Sequence, residues 1–378
     1  MLKALLKSKL NLTVSKLALF TLLATWTLGQ ITNFTLHGLS RPLAIFYLIL
    51  PFSCLLLLRP PLLKKNPFLV FIIFTILSFP VYTFFQKETQ EMSIFLPAFL
   101  QLVKLTLTLL LLNLIPPINR PTLFTLFFAL FACSWLQYFL FPNLTSLQAL
   151  SWDPHLNRLT GPLLDPTFTG FIFASFSAYF FYQYYQQKTK IPLLLFFLSY
   201  VSLSFTYSRS SLLSFILLGL LLAKHFHKKI IFLVFFTLAI TSVFLLPHNF
   251  GEGTYLARTS SIKAKIINYQ EAFHFIKENP LGVGYNYLAY KRSKNGIDLL
   301  SHSAFGFDSS LLTVFSTTGL PGLILFLWGL KTWSSKLKKE KVAYFALLTL
   351  IFHSLFANSL LYPWTILFIA FLASFPAL

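Results

Sequence analysis

Apolar residues run along this chain in long unbroken stretches, separated by short clusters of Lys, Arg, Pro, Gly and Asn. We count about twelve such stretches, at roughly 13–31, 42–58, 67–85, 94–114, 121–141, 167–186, 191–207, 209–223, 230–247, 308–330, 342–360 and 362–378, each near the ~20 residues that a bilayer-crossing helix needs. Strands of a membrane barrel would be about ten residues long and alternate in polarity, which these runs do not. The pattern therefore predicts an all-α, polytopic transmembrane helix bundle, a single integral membrane domain over 1–378. Only Tyr207-Ser208-Arg209-Ser210 divides the seventh stretch from the eighth, which predicts a tight hairpin.

Composition excludes a soluble fold. Hydrophobic residues make up 56% of the chain and charged residues 11%, with 46 Phe; soluble chains carry about 25% charged residues. A soluble protein this apolar could not cover its own surface, whereas lipid needs no such cover. Cys54 and Cys133 both fall inside predicted spans, which excludes a disulfide framework and argues against a redox role. The first stretch follows Lys3, Lys7, Lys9 and Lys16 and lacks a clear small-residue cleavage site, so it reads as an uncleaved first helix.

The net charge of +20 invites a nucleic-acid partner, but its distribution argues against one. With the N-terminus in the cytoplasm and spans alternating, the inner segments hold 18 of the 30 basic residues against one acid, Glu340. Eleven basic residues fall outside with the other nine acids, and Lys104 lies within a span. This is the positive-inside pattern. It predicts cytoplasmic N- and C-termini and two outer segments, at about 142–166 and about 248–307, the larger one lying between spans nine and ten. Lys104 marks a functional cavity or snorkels to an interface.

The outer segments hold the candidate chemistry. In Arg158-Leu159-Thr160-Gly161-Pro162-Leu163-Leu164-Asp165-Pro166, Asp165 is an N-cap acceptor followed by Pro at the first helical position. Ser208-Arg209-Ser210-Ser211 opens a helix whose N-terminus faces outward. Free N–H groups, the helix dipole, three hydroxyls and a guanidinium make a phosphate or diphosphate cradle there; the plainer reading is an arginine snorkelling to lipid headgroups. In the larger segment, residues about 261–278 predict an amphipathic helix with Ile262, Ile266, Tyr269, Phe273 and Ile276 on its apolar face. Such a helix lies on the membrane surface or caps a cavity. His274 on its polar face reads as solvated. Asp308 is placed to N-cap the tenth span, and His302 has the proton affinity of a general base near neutral pH. A helix N-terminus weakens a carboxylate as a base, which favours His302 as base with Asp308 as cap or orienter. Thr318-Gly319-Leu320-Pro321-Gly322 predicts a bend or close packing in the tenth span.

Four pieces in this order resemble the superfamily of bacterial O-antigen ligases and polymerases. They are Arg158-x-x-Gly161 with Asp165-Pro166; Thr206-Tyr207-Ser208-Arg209-Ser210; Arg258, Lys265 and Asn279-Pro280-Leu281-Gly282-Val283-Gly284; and Asp308-Ser309-Ser310-Leu311 running into Gly319-Leu320-Pro321-Gly322. The resemblance covers roughly 150–330 and implies a membrane glycosyltransferase of surface polysaccharide or lipopolysaccharide biosynthesis. Such enzymes take a glycan from a polyprenyl diphosphate (undecaprenyl diphosphate in bacteria) on the outer face of the cytoplasmic membrane. They pass it to a lipid or glycan acceptor hydroxyl without metal, cofactor or nucleic-acid partner. By motif position Arg158, Arg209, Arg258 and Lys265 would serve the diphosphate, with Lys265 standing where many members carry Arg. Ligases show His-Asn where this chain has Asp308-Ser309. Either Asp308 is the base, or His302 has taken over, or catalysis works chiefly through leaving-group stabilisation. A polytopic transporter or a lipid-linked glycan flippase is the rival reading; neither needs a base.

Overall fold

The computed structural model describes residues 16–30, 49, 52–53, 60–85, 92–150, 153–247, 253–256, 259–285, 287–293 and 306–374. Among these the protein is all-α, with thirteen helices and no strand. They are α1 (Lys16–Leu28), α2 (Leu69–Phe85), α3 (Met92–Leu111), α4 (Arg120–Leu140), α5 (Pro166–Gln187), α6 (Lys190–Phe205), α7 (Arg209–Phe226), α8 (Lys229–Leu245), α9 (Ser260–Glu278), α10 (Leu288–Ser293), α11 (Ser310–Leu337), α12 (Lys341–His353) and α13 (Pro363–Ala373). Four of them, α3, α4, α7 and α11, are long and apolar enough to cross a membrane; α1, α2, α6, α8, α12 and α13 are shorter apolar helices. The expected stretch 42–58 lies largely outside the described residues.

Helix α5 forms the centre. It is buried from Phe168 to Phe181 and packs against α6, α7, α12 and α13. A helix apolar on every side belongs in an interior. Small residues set the spacing: a Cβ on Gly170 would strike Ser211 and Thr206, and one on Gly219 would strike Phe235. Serines within the bundle bond back to carbonyls four residues earlier, as Ser199 does to Leu195 (2.7 Å) and Ser214 to Ser210 (2.9 Å). Such back-bonds satisfy hydroxyls that would otherwise be costly among apolar surroundings.

Tertiary bonds sort the helix termini into two ends. At one, Trp26 Nε1 donates to Trp364 O (2.8 Å), Gln30 N to Pro162 O (2.8 Å), Leu159 N to Phe205 O (2.9 Å), Ser310 N to Ser354 O (3.0 Å) and Tyr82 OH to Leu281 O. At the other, Ile118 N donates to Ser374 O (3.2 Å), Asn66 Nδ2 to Leu109 O (2.8 Å) and Lys336 Nζ to Lys65 O. The lysine-rich turns 188–190, 224–229 and 338–341 belong to this second end, opposite Arg209.

Three local expectations change. The apolar stretch expected to run to 360 stops at His353: residues 354–356 close it with tight turns, and beyond them the chain bonds across to α11, where Thr313 Oγ1 donates to Asn358 Oδ1 (3.1 Å) and Leu360 N to Ser310 Oγ (3.1 Å). Asp308 is not the cap of α11. The N-cap is Ser309, which makes no side-chain cap bond, and the helix's first N–H is taken by Ser354 O. The expected apolar face of α9 is divided: Tyr269 and Ile276 turn toward the bundle, and the other three residues do not. Ser261, Lys265, Asn268, Ala272 and Phe275 face inward, while Ile262, Ile266 and Phe273 are exposed. The helix ends beneath α9 present carbonyls and N–H groups, which polar side chains satisfy and isoleucines cannot. The expected bend is present: Gly319 sits at φ 66, ψ −173 within α11.

Candidate functional site

The hairpin between α6 and α7 is built around strained backbone. Tyr207 has φ +51, a left-handed conformation that is costly for a bulky residue. Bonds to two partners hold it. Its hydroxyl donates to Pro247 O (2.7 Å), and the buried Arg158 donates from Nε to Thr206 O (3.0 Å) and from Nη2 to Tyr207 O (3.3 Å). Arg158 therefore satisfies the two carbonyls just past the end of α6, where the helix ladder supplies no donor. The rest of its motif secures it. Thr160 N and Gly161 N donate to Gln137 Oε1 (2.9 and 3.1 Å). Gly161, at φ +59, lies where a Cβ would collide with Ser134. Asp165 caps α5 through Thr167 N (2.6 Å) and Phe168 N (3.2 Å).

Arg209 is the first residue of α7. Ser208 caps that helix through Ser211 N (3.4 Å), and its hydroxyl lies 2.8 Å from Ser211 Oγ and 3.2 Å from Ser210 Oγ. Ser211 also donates to Thr167 O (2.8 Å) and lies 3.5 Å from Nε2 of the fully buried His353. The N-terminus of α7 is thus a fixed, hydroxyl-rich, positively polarised surface carrying one guanidinium.

Helix α9 roofs it. Arg209 donates to Ser261 Oγ, in the first turn of α9. One turn on, Lys265 Nζ donates to Phe356 O (2.6 Å) and lies 3.4 Å from Asp308 Oδ2. Asn268 Oδ1 accepts from Asp308 N (2.7 Å), and Tyr269 OH donates to Leu355 O. Burial raises the Tyr269 phenol above its ordinary value, and the nearby Asp308 charge adds to the shift. Arg209, Lys265 and Asp308 are therefore brought to one strip beneath α9, with the carbonyls of 354–357 as its floor.

The far half of α9 is clasped. Buried Arg292 grips Glu271 with both fork nitrogens (Nε 2.7 Å, Nη2 2.8 Å), donates to Gly306 O (3.1 Å) and lies 4.7 Å from the Phe307 ring centroid. This pair and the 354–357 carbonyls escaped sequence reasoning. Nothing distinguishes Arg292 from the other basic residues of its segment, and a backbone acceptor has no sequence signature. Beyond α9, Val283 N donates to Ser316 O (3.1 Å), Gly284 N to Thr317 O (2.8 Å) and Leu320 N to Pro280 O (3.3 Å). A Cβ on Gly319 would fall onto the Leu281 carbonyl, so the two glycine-bearing motifs meet as bare backbones.

Arg258 and His302 lie outside the described residues. His274 is exposed and paired with Glu278 (3.1 Å, i to i+4), away from the strip. An apolar cavity of about 640 Å³ opens between α2 and α3, lined by Phe79, Thr83, Phe95, Phe99 and Leu102 among others. It adjoins the start of α10, where Thr83 and Tyr287 hydroxyls are 2.7 Å apart, and is not brought to Arg209. The half-buried Lys104 is on α3.

Compared with known proteins, residues 194–327 match the family described as O-Antigen ligase. That stretch holds α7, α9 and most of α11, with Arg209, Lys265 and Asp308, but not Arg158 or the 354–357 carbonyls. No curated protein matches the chain.

Proposed function

We propose that this apolar-helix protein, whose residues 194–327 are similar to the O-antigen ligase family, is a multi-pass membrane enzyme of surface polysaccharide biosynthesis that transfers an oligosaccharide or polysaccharide from a polyprenyl diphosphate to an acceptor hydroxyl on the outer face of the cytoplasmic membrane. The observation that carries this is Arg209 at the start of α7, with Ser208 and Ser210 beside it and α9 above it, at the end opposite the lysine-rich turns. An outer face and cytoplasmic termini follow if those turns are the inner ones. The C-terminal ends of α1 and α2 share the Arg209 end, as an alternation of about twelve spans requires.

The diphosphate docks on the α7 N-terminus, where dipole and guanidinium favour it. Lys265 supplies the second cation, and Arg258 a third. Arg158 serves the diphosphate indirectly, by holding the Tyr207 turn that aims Arg209. Roofing by α9 keeps water from hydrolysing the donor. The acceptor oxygen forms a bond to the anomeric carbon as that carbon's bond to the diphosphate oxygen breaks. The diphosphate leaves with the electron pair, and the acceptor proton passes to a base at the start of α11. Asp308 is assigned that role because its carboxylate is partly exposed and is not spent on capping; His302, six residues earlier, is the alternative. Stabilisation of the departing charge is the largest contribution.

The test is glycosyl transfer by purified protein in vesicles supplied with lipid-linked donor and acceptor. Arg209→Ala should nearly abolish it while the protein still inserts; normal transfer would remove Arg209 from the mechanism. Asp308→Asn and His302→Ala, tested side by side, identify the base by which of them loses activity. In cells lacking the protein, loss of long chains with a single repeat still attached identifies a polymerase. Loss of all attachment identifies a ligase.

A further inference from the structure

Helix α9 has four sides, and three are accounted for. The first faces the bundle through Ser261, Lys265, Asn268 and Ala272. Opposite it, Lys263, Gln270, His274 and Lys277 are exposed and polar, with Ile267 a single apolar neighbour of the kind surfaces commonly carry. A third side carries Glu271, bonded to Arg292. The remaining side, about 100° round the helix from the bundle, is a ridge of Ile262, Ile266 and Phe273. These are 48%, 52% and 62% exposed.

The level of this ridge follows from α11. Ser310 bonds to Ser354 at the outer end of α12, and the turn 338–340 joins the inner ends of the two helices. Between those levels α12 uses 13 residues, about 20 Å, whereas α11 uses 28, about 42 Å. The non-helical Gly319 divides α11 into 310–318 and 320–337, and a change of direction there would take up the difference. That second piece is about 27 Å long, close to the ~30 Å of a bilayer's hydrocarbon core. The segment leaving α9, Pro280–Gly284, is bonded to α11 on both sides of this break. The end of α9 is therefore tied to the level of this break. Exposed apolar residues at its end, Leu281 (70%) and Leu320 (51%), continue the ridge onto the lipid-facing side of α11 with Ile324 and Trp328.

We infer that α9 is an interfacial helix whose Ile262–Ile266–Phe273 ridge is inserted among the lipids of the outer leaflet, with Lys263 and Lys277 at the level of the headgroup phosphates. Lipid rather than a second protein copy is the occupant, because the ridge runs into the lipid-facing surface of α11 and because lysines flank it. The roof over Arg209 would then be seated partly by the bilayer itself.

Nitroxide labels report this directly. In a chain with Cys54→Ala and Cys133→Ala, single cysteines replace Ile262, Ile266, Phe273, Lys263, Gln270 or His274. Each labelled protein is reconstituted into phosphatidylethanolamine–phosphatidylglycerol vesicles. Collisions with lipid-soluble oxygen should exceed those with a water-soluble nickel chelate at 262, 266 and 273, and the order should reverse at 263, 270 and 274. Dominance of the nickel reagent at 262, 266 and 273 would put the ridge in water and overturn the inference. Exclusion of both reagents there would mean that protein covers it, with the same consequence. The outcome does not depend on glycosyl transfer, so an inactive protein with the expected collision pattern would count against the enzyme assignment alone.

Discussion

Removing Glu271 should loosen α9 far more than removing its partner Arg292, although both changes delete the same ion pair. The asymmetry comes from burial: the Arg292 side chain is 2% exposed, the Glu271 side chain 35%. Glu271→Ala leaves a guanidinium in the interior without its carboxylate, the situation in which breaking a buried pair costs about 3–5 kcal/mol. Arg292→Leu leaves a carboxylate that water can reach. The lost pair then costs about 1 kcal/mol, and the Gly306 carbonyl losing its donor adds about 1 kcal/mol. The difference of about 2 kcal/mol corresponds to roughly 30-fold in an equilibrium constant. Because α9 opens as a local unit, the assay is amide hydrogen exchange of residues 260–278 in nanodiscs rather than global melting. Exchange in this segment should rise by two to three orders of magnitude in Glu271→Ala, at about 1.4 kcal/mol per tenfold, and by about one to two orders in Arg292→Leu. Equal effects, or the reverse order, would refute the reasoning.

Gly319→Ala should cost about 3 kcal/mol, combining a backbone conformation nearly restricted to glycine with the collision against Leu281; a lower melting temperature and faster exchange at 280–284 check it. Arg158→Met should reduce transfer at least about tenfold while the protein still inserts, because Thr206 and Tyr207 carbonyls lose a charged donor worth about 1.5–3 kcal/mol; steady-state kinetics should place the loss in donor KM. In Tyr269 the folded state holds the phenol proton more tightly than the unfolded chain, so its contribution is complete below pH 10.0 and is lost as pH rises through the raised folded value. A spin label at Gln270 should become mobile over that alkaline range, and Tyr269→Phe should lack the step.

Continuous apolar stretches identified helices in an apolar surround, because that signal needs only the local chain and the solvent that the chain must face. The tight hairpin at Tyr207–Ser210, the cap at Asp165 and the break at Gly319 were equally local, since turn and cap chemistry acts within a few residues. Arg209 was legible as a candidate for the same reason: a serine-flanked arginine opening a helix is a local pattern. The face of α9 was not. An amphipathic stripe says that one side is apolar, but the partner beneath the first half of that helix is a set of helix ends, whose carbonyls and N–H groups engage Ser261, Lys265, Asn268 and Tyr269, while Ala272 and Phe275 pack with Phe307. The role of Arg158 depends on carbonyls 48 and 49 positions away, and that of Arg292 on a carboxylate 21 positions back. Which backbone acceptor or buried carboxylate comes within 3 Å of a given donor is decided by how the helices pack, and no stretch of sequence encodes that alone.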